Sequence, residues 1–314
     1  MLVLLVAPCA VGAQPPSIPQ EVLFPSGDVT LRGTLYKPEG DGPFPALVYN
    51  HGSAPGNLND LAFTQLGPLF AQRGWVFFAP YRRGQGLSAE AGPYVGDEIA
   101  SVARESVRGS VLAVVLATIA IMAAVVMRMR GRRTSLRASS ATAVGLAGAV
   151  AALMIGANAR NTAVMQVLQA SQLTDHLAAY QWLKGQRFVN TERMATAGNS
   201  FGGIITVLAA KQVAYCAAID GAGGAETWSG PVATGMIEAV RQSQAPIFFF
   251  QAANDYSIEP TQQLGEEMRK AQRAYEAKIY PAFGTSSADG HSFAWRGSAV
   301  WAEDVFRFLN ANCS

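Results

Sequence analysis

Cysteine and histidine are scarce: the 314 residues hold three of each, and no Cys-x-x-C pair occurs. A zinc site built from those ligands is therefore excluded, and no metal or organic cofactor is expected. Charge is sparse as well, at 15% of residues, with 24 basic residues against 22 acidic ones and a net of +2. Such a small excess gives no electrostatic footprint for a nucleic acid. Half the residues are apolar and 9% aromatic, which excludes a disordered chain, a collagen-like chain or a long coiled coil. No internal repeat and no long low-complexity linker is visible. The length suits one large α/β domain or two small ones, with a core that needs no disulfide or metal staple.

The charges that are present are unevenly placed. Residues 109–159 contain five arginines (Arg128, Arg130, Arg132, Arg133 and Arg137) and no acid; removing those five from 24 leaves 19 bases against 22 acids, a net of −3. Gly109–Met127 is 19 residues without a charge, the ten residues RMRGRRTSLR follow, and Ala138–Ala159 is a further uncharged run of 22. A bilayer core needs about 20 apolar residues as helix. Residues 99–159 therefore read as an inserted hydrophobic hairpin, with candidate transmembrane helices at 109–127 and 138–159. The basic loop between them faces the cytoplasm by the positive-inside bias, which puts both flanks outside. Small residues at four-residue spacing (Ala141, Gly145 and Ala149; Ala113 and Ala117) suit close helix contact in lipid. The alternative is a soluble Ala-rich lid or dimerisation arm.

The N-terminus agrees with that topology. Residues 1–20 carry no charge, and MLVLLVAPCAVGA ends with Val11 and Ala13 at the −3 and −1 places of a signal-peptidase site. The basic start usual in such a leader is missing. The expectation is a cell-envelope protein, membrane-anchored with its main domain outside the cytoplasm; a secreted soluble protein is the alternative. Cys216 and Cys313 could pair in an oxidising compartment, and the sequence leaves that open.

Outside the insert, short apolar runs alternate with helical patterns, over 21–98 and 160–314. Strands are expected near Glu21–Pro25, Thr30–Tyr36, Ala46–Asn50, Trp75–Ala79, Met194–Ala197, Ala217–Asp220, Ile247–Gln251 and Lys278–Tyr280. Helices are expected near Asp60–Arg73, Ser171–Lys184, Gly202–Lys211, Thr261–Ala274 and Ala299–Asn312. Alternation of this kind argues for a mostly parallel sheet of about eight strands covered by helices.

Gly198-Asn199-Ser200-Phe201-Gly202 matches G-x-S-x-G between a strand-like run (RMATA) and a helical one (GGIITVLAAK). In that context the serine sits on a tight turn with its hydroxyl exposed, and the flanking glycines leave room for the crossing strand and helix. Ser200 is the expected nucleophile, and it needs a base. His291, in the turn-rich segment Ala288–Ser292 ahead of the final helix, fits that role. His176 lies in a helical pattern before the nucleophile and reads as a partly exposed helix residue; His51 belongs to the His51-Gly52-Ser53 turn after the third strand. Asp255, following IFFFQAAN, is the expected orienting acid, with Asp220 and the weaker Glu259 as competitors. The oxyanion hole would use the main-chain N–H groups of Phe201 and Ser53. Arg82 and Arg83 read as a solvated turn, with greeting of an anionic substrate as the second possibility.

Together, LRGTLYKPEGDGPFPALVYNHGS, PYRRGQGLS, GNSFGG, FFFQAANDYSIEP and DGHSF resemble the α/β-hydrolase superfamily, and within it the dienelactone-hydrolase-like branch, over residues 21–98 and 160–314. The resemblance implies a Ser200–His291–Asp255 triad that cleaves a small-molecule ester. Dienelactone hydrolases proper carry a cysteine at the elbow, so Ser200 favours a serine esterase. The early strand pair and PYRRGQG also look like the catalytic domain of serine oligopeptidases, so a peptidase or amidase is the second reading. A catalytically idle hydrolase fold serving as a membrane-bound interaction module is the third.

Overall fold

The computed structural model describes residues 18–53, 61–128, 159 and 162–314. Most of the expected leader (residues 1–17 of 1–20), most of the basic loop and the second apolar run lie outside the described residues. Eight strands form one sheet: β1 (Gln20–Ser26), β2 (Val29–Tyr36), β3 (Phe44–Asn50), β4 (Val76–Pro80), β5 (Val189–Asn199), β6 (Ala217–Gly221), β7 (Ile247–Ala252) and β8 (Tyr275–Tyr280). Their spatial order is β1-β2-β4-β3-β5-β6-β7-β8. β1 and β2 join as an antiparallel hairpin edge, and every pair from β4 to β8 is parallel.

The strand sequences explain this division. β1 and β2 alternate buried and exposed residues, the period-two pattern of a sheet edge with one wet face. β4, β6 and β7 are buried throughout, as parallel strands covered on both faces must be. Helices α3 (Leu173–Lys184), α4 (Phe201–Gln212), α5 (Gly230–Arg241) and α6 (Glu259–Lys270) contribute to the core on one face. Helices α1 (Leu61–Gln72), α7 (Ser287–Arg296) and α8 (Ser298–Asn312) contribute to the core on the other. Successive strands are added toward one edge from β3 to β4 and toward the other from β5 to β8, so the carboxyl ends of the parallel neighbours β3 and β5 flank the crevice where doubly wound sheets place ligands.

One helix behaves differently. α2 (Val95–Arg128) starts on the domain, with Val95 and Ile99 buried in the core, and then leaves it. Leu112, Val115, Leu116, Ile119 and Ile121 are 45–60% exposed. Among the described residues this is the one helical stretch long and apolar enough to cross a membrane, with an 18-residue window of mean hydropathy 2.0 and no burial within the protein.

Two local differences from the sequence reading stand out, and a pairing the sequence left open is decided. His291 does not lie in a loop: the segment is helix α7, started by a capping box in which the Ser286 hydroxyl accepts from the Asp289 N–H. His176 is wholly buried: its ring packs against that of Tyr215, and its Nε2 meets the Tyr215 hydroxyl at 2.8 Å. Cys216 and Cys313 form a disulfide that closes 97 residues.

Candidate active site

The turn at Ser200 links β5 to α4. Its backbone stands at φ 55°, ψ −122°, in a region a non-glycine residue occupies only when its surroundings force it. The surroundings do. The Ser200 N–H donates to Gly221 O (2.9 Å), and Ser200 O accepts from the Gly203 and Ile204 N–H groups. A Cβ on Gly202 would sit 2.0 Å from Asn50 O, and one on Gly198 would sit 2.3 Å from Gly202 O. Both glycines of the motif are therefore steric requirements of the crossing between β3, β5 and α4.

The loop after β3 lies against this turn. Asn50 pairs in register with Gly198, and a Cβ on Gly52 would come within 3.6 Å of the Ser200 Cβ. The Tyr49 hydroxyl donates to Asn199 Oδ1 (2.7 Å), and Asn50 Nδ2 donates to Thr206 Oγ1 (2.9 Å). These bonds fasten the loop carrying Ser53 to the elbow carrying Phe201, the two expected N–H donors. His51 is buried beneath the loop. Burial, with the Arg82 charge adding to it, holds its imidazole well below the usual range. The neutral ring has Nδ1 2.6 Å from Gly52 O and Nε2 accepting from the Arg82 N–H at 3.4 Å.

Arg82 was missed by the sequence reading. It is 1% exposed, so neither a solvated turn nor a substrate-facing cation describes it. Its Nη1 donates to His51 O (2.9 Å), Nη2 to Gly52 O (3.3 Å) and Nε to Gln172 Oε1 (3.0 Å). The guanidinium lies 5.6 Å from the centre of the Phe201 ring. One side chain thus grips the loop after β3 and touches the residue after the nucleophile. Burial lowers its pKa to about 9, against the pull of Asp175. Arg83 is held differently: its Nε and Nη2 fork onto the buried Asp175 at 2.8–3.1 Å, and that bonding raises its pKa. Only a buried carboxylate ninety residues away separates the roles of these neighbours, which no local pattern reveals.

Asp255 follows β7 and is buried. Its Oδ1 accepts from His291 Nδ1 (2.8 Å) and the Tyr256 N–H (2.7 Å), and its Oδ2 from Gln251 Nε2 (3.2 Å). With Nδ1–H donating to the carboxylate, Nε2 carries the lone pair a base needs. Nε2 is buried without a hydrogen-bond partner among the described residues, so Ser200 and His291 share no hydrogen bond in this conformation. They occupy the same end of the sheet: a Cβ on Gly221, whose carbonyl accepts from the Ser200 N–H, would meet the Ala294 Cβ at 2.9 Å, and Ala294 lies one turn beyond His291 on α7. Catalytic contacts of this kind are often long before substrate arrives.

The rival acids are placed elsewhere. Asp220 is buried on β6 and accepts from the Gly223 N–H (2.9 Å), with no histidine bonded to it; burial pushes its carboxyl up to about 7, against that bond. Glu259 is exposed at the start of α6 and takes Gln263 as its partner. A second residue missed in the sequence is Asn254. Its amide donates to Phe283 O (3.0 Å) and Ser286 O (2.9 Å) and accepts from the Phe283 N–H (2.9 Å), which ties the Asp255 turn to the segment entering α7. A Cβ on Gly290 would lie 2.6 Å from the Asn254 carbonyl carbon, so the close passage of α7 that brings His291 to Asp255 depends on glycine there.

A pocket of about 760 Å³ opens beside the elbow, within the range of small-molecule sites. Ser53, Phe201 and Tyr94 line one side; the first turns of α2 and Val164 line another. No group of three or more potential metal ligands gathers among the described residues.

A family model for the dienelactone hydrolase family matches residues 151–309. No curated protein matches the chain. Among solved structures, the acylaminoacyl peptidase of Pyrococcus horikoshii aligns over 95% of this chain with a TM-score of 0.58 and 13% identity; the chain spans 42% of that peptidase. A Pyrococcus furiosus esterase aligns over 97% of both chains (TM-score 0.57, 13% identity). A candidate dienelactone hydrolase of Klebsiella pneumoniae aligns over 91% of this chain and 98% of its own (TM-score 0.54, 16% identity). At these identities the solved structures establish the α/β-hydrolase fold.

Proposed function

The chain belongs to the dienelactone hydrolase family, and on that premise we propose that it is a serine hydrolase that cleaves carboxylic esters through an acyl-enzyme. The Asp255–His291 bond beside the strained Ser200 turn carries this reading. His291 Nε2 takes the Ser200 proton as Oγ attacks the ester carbonyl. The Phe201 and Ser53 N–H groups hold the oxyanion, aided by the N-terminus of α4. Collapse of the tetrahedral species breaks the ester bond, and the alcohol leaves with the proton from His291. Water, deprotonated by the same nitrogen, then attacks the acyl-enzyme and releases the carboxylic acid, returning the proton to Ser200. Asp255, bonded to Nδ1, steadies the imidazolium in both halves.

The test compares wild type with Ser200→Ala in detergent on p-nitrophenyl acetate and butyrate, beside matched p-nitroanilides. Fluorophosphonate label on Ser200 and a loss of at least a thousandfold in ester turnover are expected. Faster anilide than ester turnover would move the reading to a peptidase or amidase. A folded wild type with neither label nor turnover would leave the idle-fold alternative.

The same reading includes tethering to a membrane with the domain outside the cytoplasm. The exposed apolar length of α2 supports it, as do the arginines that follow in the sequence. The disulfide supports it independently, since such bonds persist in oxidising compartments. Retention in the membrane pellet after alkaline carbonate extraction is the expected result; release to the supernatant would end this part of the reading.

A further inference from the structure

The pocket beside Ser200 shares a wall with the helix assigned to the membrane. Ile99, Ala100 and Ala103 of α2, with Val164, form its apolar side; Ser53 and Phe201 bring the oxyanion donors to it; Glu226, Thr227 and Ser229 form a polar side. Ala103 precedes the uncharged run that starts at Gly109 by six residues, about 9 Å of helix. Arg104, Glu105 and Arg108 lie in that interval, and Arg104, Glu105 and Arg108 are exposed. From Arg108 to Arg128 the helix rises about 30 Å, the thickness of a bilayer's hydrocarbon core. The charged turn then lies at headgroup level, and the pocket lies just above it. This placement puts the pocket within reach of a lipid ester in the bilayer.

We propose that the pocket takes the acyl chain of a neutral lipid ester, of the acylglycerol type, that enters from the bilayer along the base of α2. This rests on the esterase reading of Ser200 and on the membrane reading of α2. The acyl chain lies along Ile99, Ala100 and Ala103, and the carbonyl lies between Ser200 and the Ser53 and Phe201 N–H groups. The alcohol portion faces Thr227 and Ser229. Among the described residues Glu226 is the one charged residue of the lining, and its carboxylate opposes an anionic headgroup. The bond broken is the acyl ester: the acyl group passes to Ser200 Oγ, the glycerol oxygen leaves with a proton from His291, and water completes the hydrolysis to a fatty acid.

The experiment uses the full chain. In detergent micelles, kcat/KM on p-nitrophenyl esters is expected to rise at least tenfold from acetate to dodecanoate, and Ala103→Trp is expected to lower the dodecanoate-to-acetate ratio at least tenfold. In phosphatidylcholine vesicles, dioleoylglycerol sharing the enzyme's bilayer is expected to be hydrolysed at least tenfold faster than the same lipid in separate vesicles. The vesicle arm and the wild-type chain-length series need no variant and hold if Ala103→Trp fails to fold. Acetate turnover with a flat or falling chain-length series, or equal rates in shared and separate vesicles, overturns this proposal and leaves the esterase standing. Faster hydrolysis of an anionic phosphatidylglycerol than of dioleoylglycerol overturns the neutral headgroup. No acetate turnover and no fluorophosphonate label on Ser200 overturn both readings.

Discussion

Arg82 illustrates how a residue outside the triad and the elbow can govern a site. Its three donor atoms reach the carbonyls of His51 and Gly52 and the Gln172 side chain, and orienting those carbonyls orients the N–H groups of the same peptides. A lysine keeps the charge but has a single ammonium in place of a planar fork. Arg82→Lys should therefore lower kcat on p-nitrophenyl acetate by about ten- to a hundredfold, with KM within about threefold and only modest loss of thermal stability. A variant with wild-type kcat would assign Arg82 to folding alone. The neighbouring elbow was legible in the sequence because glycine leaves a local mark: Gly198 and Gly202 have no room for a Cβ. Arg82 left none, since its partners come from a loop 31 residues away and a helical turn 90 residues away.

Asp220 sets a second residue-scale expectation. Its folded-state pKa of about 7 lies above the ordinary 3.8. Between those values the folded chain keeps a proton that the unfolded chain gives up, so stability falls as pH rises from about 4 to about 7 and is level beyond. Asn at this position retains an acceptor for the Gly223 N–H and has no proton to lose. Asp220→Asn should gain on wild type by up to about 3 kcal/mol between pH 5 and pH 8. Urea unfolding at the two pH values reads this difference, and parallel pH dependence in both proteins would contradict it.

At the scale of elements, the strands were legible where burial on both faces left uninterrupted apolar runs. The expected Ile247–Gln251 and Ala217–Asp220 differ from β7 and β6 by one residue at the C-terminal end. α7 was not legible. Ser287, Asp289 and Gly290 are turn formers by local preference, and what makes the segment helix is the capping box at Ser286 and the packing of Phe293 in the core. α5 was also missed, its Gly-Pro start resembling a turn although proline suits the first helical positions. α2 begins at Val95, ahead of the apolar run, because Val95 and Ile99 anchor it to the core. Since α7 carries His291, its cap matters to the site. Ser286→Ala removes the acceptor of the Asp289 N–H and should cost about 1 kcal/mol of stability. It should also lower kcat more than KM, because the Asn254–Ser286 link that seats α7 against Asp255 is loosened. Denaturant unfolding and ester kinetics together check this; a stability loss with unchanged kcat would mean that α7 holds its place without the cap.

The whole molecule joins a site at the carboxyl ends of β3, β5 and β7 to a helix that leaves the domain beside the pocket. Its C-terminus is secured by the Cys216–Cys313 bond, which ties the end of α8 to the start of β6. The sequence could not decide that pairing, because nothing local shows that a tail residue returns to a central strand. Closing 97 residues restricts the unfolded chain, and the chain-entropy account puts that contribution at about 4–5 kcal/mol. Reduction, or the Cys216→Ser/Cys313→Ser double variant, should lower the unfolding midpoint markedly while leaving the Asp255–His291 pair in place, since neither cysteine touches it. The same bond reads out the compartment. If the domain lies outside the cytoplasm, maleimide should alkylate Cys216 and Cys313 in denatured native membranes only after a reductant is added. Alkylation of both without reductant would mean that the bond is not formed in the cell, and the case for an external domain would then rest on α2 and its arginines alone.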